Sequence, residues 1–379
     1  MRILHTSDWH LGRQLHHASL LEDQRHVLAQ IVATVEARAV DVVLVAGDVY
    51  DRSVPSAEAV ALLDETLDAI TQRLGVPVVV VAGNHDGAER LAAFARPLAR
   101  AGIHLRGPLA DALAPVVLRD AHGEVAFYGL PYAEPVAVRH AFGVEVRSHE
   151  DAIAFLTQRI AEREASGRRC VVLGHCFLAG SEESASERPL SVGGVAAVAP
   201  RHFERFCYAA LGHLHAPQHR GARHVRYSGS ILKYSFSEAQ QAKSATLVEL
   251  DGDGRATIEP VPLAPLRDVR VVEGELDAVL AQGRRDPRRD DYLLVRLLDR
   301  HAILDAMGRL REVYPNVMQL ERPALAQGGE RRAPSRESIE RGHLAMFRDF
   351  YAQTKGEPLD DARASVVADL LGRLLREDA

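Results

Sequence analysis

The chain has 379 residues, 47% of them hydrophobic and 26% charged, enough to bury a sizeable core and to divide into two or more domains. No apolar run approaches the ~18 residues that cross a bilayer, and the amino terminus has no basic and apolar export signal, so a cytoplasmic protein is expected. A net charge of −6 argues against a chain that grips DNA by bulk electrostatics, because nonspecific duplex affinity comes from Lys and Arg neutralising phosphates, an objection limited by any bound divalent cations or basic partner.

In chain order, a predicted strand at residues 1–6 leads into Asp8-Trp9-His10. A helix predicted at 21–38 places Val27, Leu28, Ile31, Val32 and Val35 on one face. Strand 42–46 runs into Gly47-Asp48, and a helix at 56–74 aims Val60, Leu63, Leu67 and Ile70 at the core. Strand 76–82 ends at Gly83-Asn84-His85-Asp86, where glycine is expected to permit a sharp turn. Strands 170–173 and 207–211 end at Gly174-His175 and Gly212-His213-Leu214-His215. Two apolar runs, 245–250 and 256–263, flank Asp251-Gly252-Asp253-Gly254 and predict a hairpin, and the proline-spaced run 260–265 marks a domain boundary.

The pattern then changes. Strands at 269–272, 292–297 and 317–320 alternate with helices at 276–282 and 302–314, a small α+β module over 266–323. A polar linker follows at 324–336, then a helix pair within 337–379, predicted at 337–353 and 360–377. Each helix of the pair has a wide apolar face, carried by Met346, Phe347 and Phe350 in one and by Val366, Leu370 and Leu374 in the other. Such a pair either packs back onto its own chain or offers a groove to a partner.

Asp8, His10, Asp48, Asn84, His175, His213 and His215 all stand at the ends of apolar runs, where side chains converge on one edge of a sheet. A carboxylate can bridge two ions, so a shared Asp48 leaves each of two ions four protein ligands and open positions. Carboxylate, amide oxygen and imidazole without thiolate favour Mn(II) over Fe, Zn or Mg. Such an ion pair would clamp the oxygens of an in-line displacement at phosphorus. Taken singly, each short motif is ordinary turn chemistry; the metal reading comes from their joint order. His85 is surplus to the ligand set, either a bystander that bonds a neighbour or an imidazole beside the scissile phosphate. Arg13, Arg52 and Lys233 lie in or near the motif loops, either as DNA phosphate contacts or as structural ion pairs. Cys170, Cys176 and Cys207 form no Cys-x-x-Cys pattern and read as core residues in a reducing compartment, with Cys176 open to a redox role beside His175.

The motif order over residues 1–250 resembles the calcineurin-like metallophosphoesterase superfamily. Thr6-Ser7-Asp8-Trp9-His10-Leu11-Gly12-Arg13, Gly47-Asp48-Val49-Tyr50-Asp51-Arg52, and Tyr227-Ser228-Gly229-Ser230 with Lys233-Tyr234-Ser235-Phe236-Ser237-Glu238 are similar to the bacterial SbcD nuclease subunits. That resemblance implies an α/β (α+β) fold: a two-sheet metallophosphoesterase sandwich flanked by helices over 1–265, then a small α+β capping module and a C-terminal helix pair. It implies one ion held by Asp8, His10 and His215, the other by Asn84, His175 and His213, with Asp48 bridging. It also implies a role for His85 in turnover, oriented and charged by Asp51, where archaeal and eukaryotic relatives carry histidine. The implied activity is 3′ to 5′ double-strand exonuclease and single-strand or hairpin endonuclease action in DNA repair, recombination and replication. The implied partners are DNA and an SbcC-type coiled-coil ATPase, docked by the helix pair, with a homodimer inside a heterotetramer. Competing readings are a phosphatase or small-molecule phosphodiesterase, echoed by the Gly47–Arg52 motif, and a scaffold without turnover, which would have lost ligands.

Overall fold

A computed structural model describes residues 1–165, 167–187, 197–301, 303–323, 343–355 and 357–377. The chain separates into two compact units, Met1–Val269 and Arg270–Ala379.

The first unit holds two six-stranded mixed sheets. One runs Ala256–Pro262, Ser244–Leu250, Arg2–Thr6, Val42–Ala46, Val78–Val81, Ile103–Arg106; the last four strands are mutually parallel and the hairpin strands antiparallel. The other runs Gln218–His219, Val225–Tyr227, Tyr208–Gly212, Arg169–His175, Gly123–Leu130, Val116–Asp120, with a parallel centre and antiparallel edges. Alternate residues of the two sheets form one shared core: Ile3, Val42, Leu44, Val79 and Val81 from the first, Phe127, Val171, Leu173 and Tyr208 from the second. The opposite face of the second sheet, including Tyr128 and Val172, packs with Leu156 and Ile160 of the helix His149–Arg163. Ser148 and Asp151 start that helix with a capping box, each bonding the other's main-chain N–H. Parallel centres in both sheets direct the carboxyl ends of their strands to one edge, which is what gathers the motif loops.

The predicted helices form at Leu21–Ala37 and Ala57–Asp68, the second continuing as a π-helical turn over Ala69–Arg73. Val60 departs from expectation: it is 45% exposed, because the buried face of that helix turns through Ala59, Leu62, Leu63, Thr66 and Leu67. The predicted hairpin is present as Ser244–Leu250 with Ala256–Pro262.

In the second unit, strands Val269–Gly274, Tyr292–Leu297 and Val317–Glu321 make a three-stranded sheet. Helices Leu276–Gly283 and Ala306–Arg311 cover a core of Val272, Leu280, Leu293, Val295, Leu310 and Tyr314. The second helix is shorter than its predicted 302–314, since Asp305 caps its start from a left-handed conformation and residue 302 lies outside the described residues. The predicted linker 324–336 and the first turns of the following helix also lie outside them. Helices His343–Lys355 and Asp361–Glu377 pack on each other, with Arg363 donating to the Tyr351 hydroxyl at 2.6 Å. Phe350, Val366 and Leu370 remain largely exposed. No helix among the described residues is long and apolar enough to cross a membrane.

Candidate metal centre

Five loops leave the carboxyl ends of strands from both sheets and bring their polar side chains together. Main-chain bonds stitch the first two loops: the Asp8 N–H donates to the Gly47 carbonyl at 3.1 Å and the His10 N–H to the Asp48 carbonyl at 2.9 Å. Asp8, His10, Asp48 and His213 all carry positive φ (52°, 45°, 48° and 105°), a conformation L-residues with side chains rarely adopt and one that concentrates where function over-determines the backbone. Gly83 has no positive φ, so the expected turn freedom is not its role. A Cβ there would sit 2.1 Å from Asp48 Oδ1, so glycine is required for the close approach of the two loops.

Ligand-type atoms of Asp8, His10 and His215 lie within 4.8 Å of one another, as do those of Asp48, His175 and His213; all six residues are buried. Asp48 Oδ2 stands between the groups, 3.6 Å from His10 Nε2 and 3.5 Å from His175 Nε2. The His85 N–H donates to Asp48 Oδ1 at 2.9 Å and thereby turns Oδ2 inward. Asn84 Oδ1 joins the second group, 2.9 Å from His175 Nε2 and 3.3 Å from His213 Nδ1. The seven residues singled out from the sequence are thus brought to one place.

The electrostatics suit a cation. Burial pulls His10 down to about 3 and puts His213 and His215 below the usual imidazole range, so all three are neutral at pH 7 and offer lone pairs. Burial also lifts the Asp8 carboxyl to about 8. Burial opposes charge on His175 and Asp48 as well, yet each favours the charged form of the other, Asp48 well below the carboxylate range and His175 up to about 9, so an ion held there would take the place of the proton on His175 Nε2. His175 donates from Nδ1 to the Ala46 carbonyl at 3.0 Å, which leaves Nε2 aimed at Asp48 and Asn84. Nε2 of His10 faces Nε2 of His215 at 3.2 Å, and in the tautomer that leaves both nitrogens unprotonated their lone pairs converge on one point. Oxygen and nitrogen donors of this kind fit divalent ions of intermediate hardness.

Around this centre, Asp51 orients His85 through its main chain, while its carboxylate lies within 4.8 Å of the same ring. His85 Nδ1 donates to the Asp51 main-chain carbonyl at 2.8 Å, while the Asp51 carboxylate faces His10 Nδ1 at 3.5 Å and accepts from Arg13 at 3.1 Å. Arg13 also donates to the Ser186 carbonyl and lies over the Tyr234 ring, and Lys233 pairs with Asp268 at 2.8 Å. Both are engaged in the fold, whereas Arg52 is largely exposed at 3.8 Å from Asp51. Cys170, Cys176 and Cys207 are free thiols, the first two buried.

The sequence reading missed the residues that hold this centre from behind. Asp86 accepts from the N–H groups of Val49, Tyr50 and Gly83 and pins the second and third loops together. Gln24 donates to the carbonyls of Trp9 and His10. Ser186, Glu187, Glu238 and Lys243 surround His215. Their only local signals were an acidic residue after Asn84-His85 and the Ser-Phe-Ser-Glu run, neither of which says what it touches.

Residues 1–217 match the family model for calcineurin-like phosphoesterases, and 265–355 match the model described as type 5 capsule protein repressor C-terminal domain. The curated SbcD subunit of the SbcCD nuclease of Staphylococcus epidermidis is 34% identical over 321 residues, 84% of this chain and 85% of that protein. Among solved structures, TT1561 of Thermus thermophilus aligns at 16% identity and a TM-score of 0.41, covering 69% of this chain and 99% of its own. A dimetal phosphatase from Danio rerio aligns at 12% and 0.39, covering 69% and 96%. The chain belongs to the calcineurin-like phosphoesterases, hydrolases of phosphoester bonds, and within them to the family of the SbcD subunit of the SbcCD nuclease.

Proposed function

We propose that the chain is the nuclease subunit of an SbcCD-type complex and hydrolyses DNA phosphodiesters with two divalent ions, which we take to be manganese. Asp8, His10 and His215 would hold one ion and Asn84, His175 and His213 the other, with Asp48 shared. When bound, such ions supply a nucleophilic water and neutralise charge on the phosphoryl oxygens. The observation that carries this reading is the single oxygen, Asp48 Oδ2, standing about equally far from an imidazole of each group.

The protein's own residues do the rest. His85, fixed through Nδ1, keeps Nε2 for the substrate, where the doubly protonated ring would donate a hydrogen bond to a phosphoryl oxygen or pass its Nε2 proton to the departing 3′ oxygen. The His213 N–H donates to both Asp8 oxygens, at 3.0 and 3.2 Å, and fixes that carboxylate. Arg52 is the basic residue we assign to a DNA phosphate, and the module over 266–323 is assigned to sorting DNA shapes. The exposed apolar residues of the C-terminal helices are assigned to a coiled-coil ATPase subunit of the SbcC type, in a cytoplasmic heterotetramer built on a nuclease homodimer that serves DNA repair, recombination and replication.

A side-by-side assay with manganese on blunt duplex, hairpin and single-stranded DNA, a phosphopeptide and a cyclic nucleotide tests the reading. Cleavage of DNA from 3′ ends and at hairpins, with the other two substrates untouched, is the expected result. Turnover confined to the phosphopeptide or the cyclic nucleotide would replace the nuclease reading with that of a phosphatase or small-molecule phosphodiesterase.

A further inference from the structure

Behind His215 lies a chain of buried polar groups that the hydrolysis itself does not use. Ser186 Oγ sits 2.7 Å from His215 Nδ1 and donates to Glu238 Oε1, which itself lies 3.4 Å from the same Nδ1. Glu238 is fully buried, and its Oε1 also receives the Tyr234 N–H at 3.2 Å and the Ser235 hydroxyl at 3.1 Å. Its Oε2 receives the Lys243 ammonium at 2.6 Å, and the same Lys243 nitrogen donates to the His215 carbonyl at 2.8 Å and to Ser230 at 2.9 Å. Glu187 accepts the His215 N–H at 2.7 Å, and Arg13 holds the Ser186 carbonyl at 2.8 Å. A buried carboxylate and ammonium are costly to desolvate, and this set holds one residue, His215, by its main-chain N–H and carbonyl as well as by its ring.

Proton counting fixes what the arrangement does. A serine hydroxyl has one proton, and a carboxylate paired with an ammonium accepts only, so the Ser186 proton belongs to Glu238. Toward His215 the serine oxygen can therefore only accept, and Nδ1 must carry the ring proton. The lone pair is left on Nε2, the nitrogen that faces His10.

We propose that Glu238, acting through Ser186, is the positioning residue that locks His215 in the tautomer and orientation needed to ligate an ion. This rests on the two-ion reading above. Ser186→Ala removes the relay and leaves Glu238 only its longer direct approach to Nδ1, at 3.4 Å. Glu238→Gln lets an amide N–H face the serine, which then turns its proton onto Nδ1 and shifts the ring proton to Nε2, the ligating position.

The test is calorimetric titration of Mn(II) into the metal-free full-length chain, with Ser186→Ala, Ser186→Thr and Glu238→Gln alongside wild type. Wild type is expected to take up two ions. Ser186→Ala and Glu238→Gln should weaken one of them about 10- to 100-fold and leave the other within about threefold, with Ser186→Thr restoring it. In ¹⁵N-histidine NMR of the metal-free protein, His215 should show a protonated Nδ1 in wild type and lose that signature in Glu238→Gln. Two ions bound by Ser186→Ala as tightly as by wild type would overturn the positioning role while leaving the two-ion reading intact. A wild-type chain that takes up no ions would overturn both. Ser186 lies on a partly exposed loop, so Ser186→Ala decides the matter even if Glu238→Gln unfolds.

Discussion

The imidazole of His85 is anchored by the main-chain carbonyl of Asp51, at 2.8 Å, and not by its side chain, whose carboxylate serves His10 and Arg13 instead. One residue thus supports two histidines through two different groups. Replacing the Asp51 side chain leaves the carbonyl in place, so the two roles separate by mutation.

His85→Ala is expected to keep both ions and to lower kcat about 10²- to 10⁴-fold, the range of a lost acid or electrostatic contact. Asp51→Ala should keep His85 oriented and act through the His10 side of the centre, weakening ion retention more than it slows the ion-loaded enzyme. Metal analysis of the purified variants beside single-turnover rates checks both. An Asp51→Ala enzyme with full ion content and a His85→Ala-like rate would show that the carboxylate does serve His85.

Gly83→Ala is expected to disable the centre with little effect on the fold. The added methyl would lie 2.1 Å from Asp48 Oδ1 and 2.3 Å from the Asp48 main-chain nitrogen, so the shared carboxylate and the loop that carries it must move. Elemental analysis should find fewer than two ions per chain, and DNA cleavage should fall by roughly 10²-fold or more, in line with the sensitivity of such sites to about 1 Å of misplacement. A far-ultraviolet spectrum like that of wild type would show that the sheets are intact.

Stability at acid pH should follow Asp120. It accepts two bonds from Arg169, at 2.5 and 2.9 Å, and the guanidinium holds its carboxyl well below the usual carboxylate range. A depressed native value contributes stability that is fully present above the unfolded value near 4 and is lost as pH falls through the native value. Asp120→Asn should therefore cost about 3 kcal/mol at pH 7, since it leaves a buried Arg169 only the Asp251 and Gly123 carbonyls and no opposite charge, and the gap from wild type should narrow below about pH 4. Urea denaturation at pH 7 and pH 3 measures the two gaps.

Val366→Glu with Leu370→Glu tests the assignment of the helix pair. Both side chains are more than half exposed, so the double variant should leave thermal stability nearly unchanged. It should lose co-purification with the ATPase subunit and keep manganese-dependent cleavage of single strands. Undiminished co-purification would move the docking surface elsewhere.

The sequence by itself determined where the chemistry could be. Apolar runs at Val42–Ala46 and Tyr208–Gly212 are buried throughout, and a polar side chain just past such a run can only emerge at a sheet edge. Asp8, His10, Asp48, Asn84, His175, His213 and His215 were legible for that reason, as were the hairpin at Ser244–Leu250 and the alternation of strands and helices beyond residue 266. Only the tertiary structure decided how those groups are held. The left-handed backbone at Asp8, His10, Asp48 and His213 is imposed by loops that bond one another, and no local propensity favours it. The bonds of Glu238 and Ser186 to His215, of Asp86 to Val49 and Tyr50, and of Gln24 to the His10 carbonyl join residues 14 to 37 positions apart. Hydropathy periodicity reports which side of an element is wet and carries no record of which distant donor meets which acceptor.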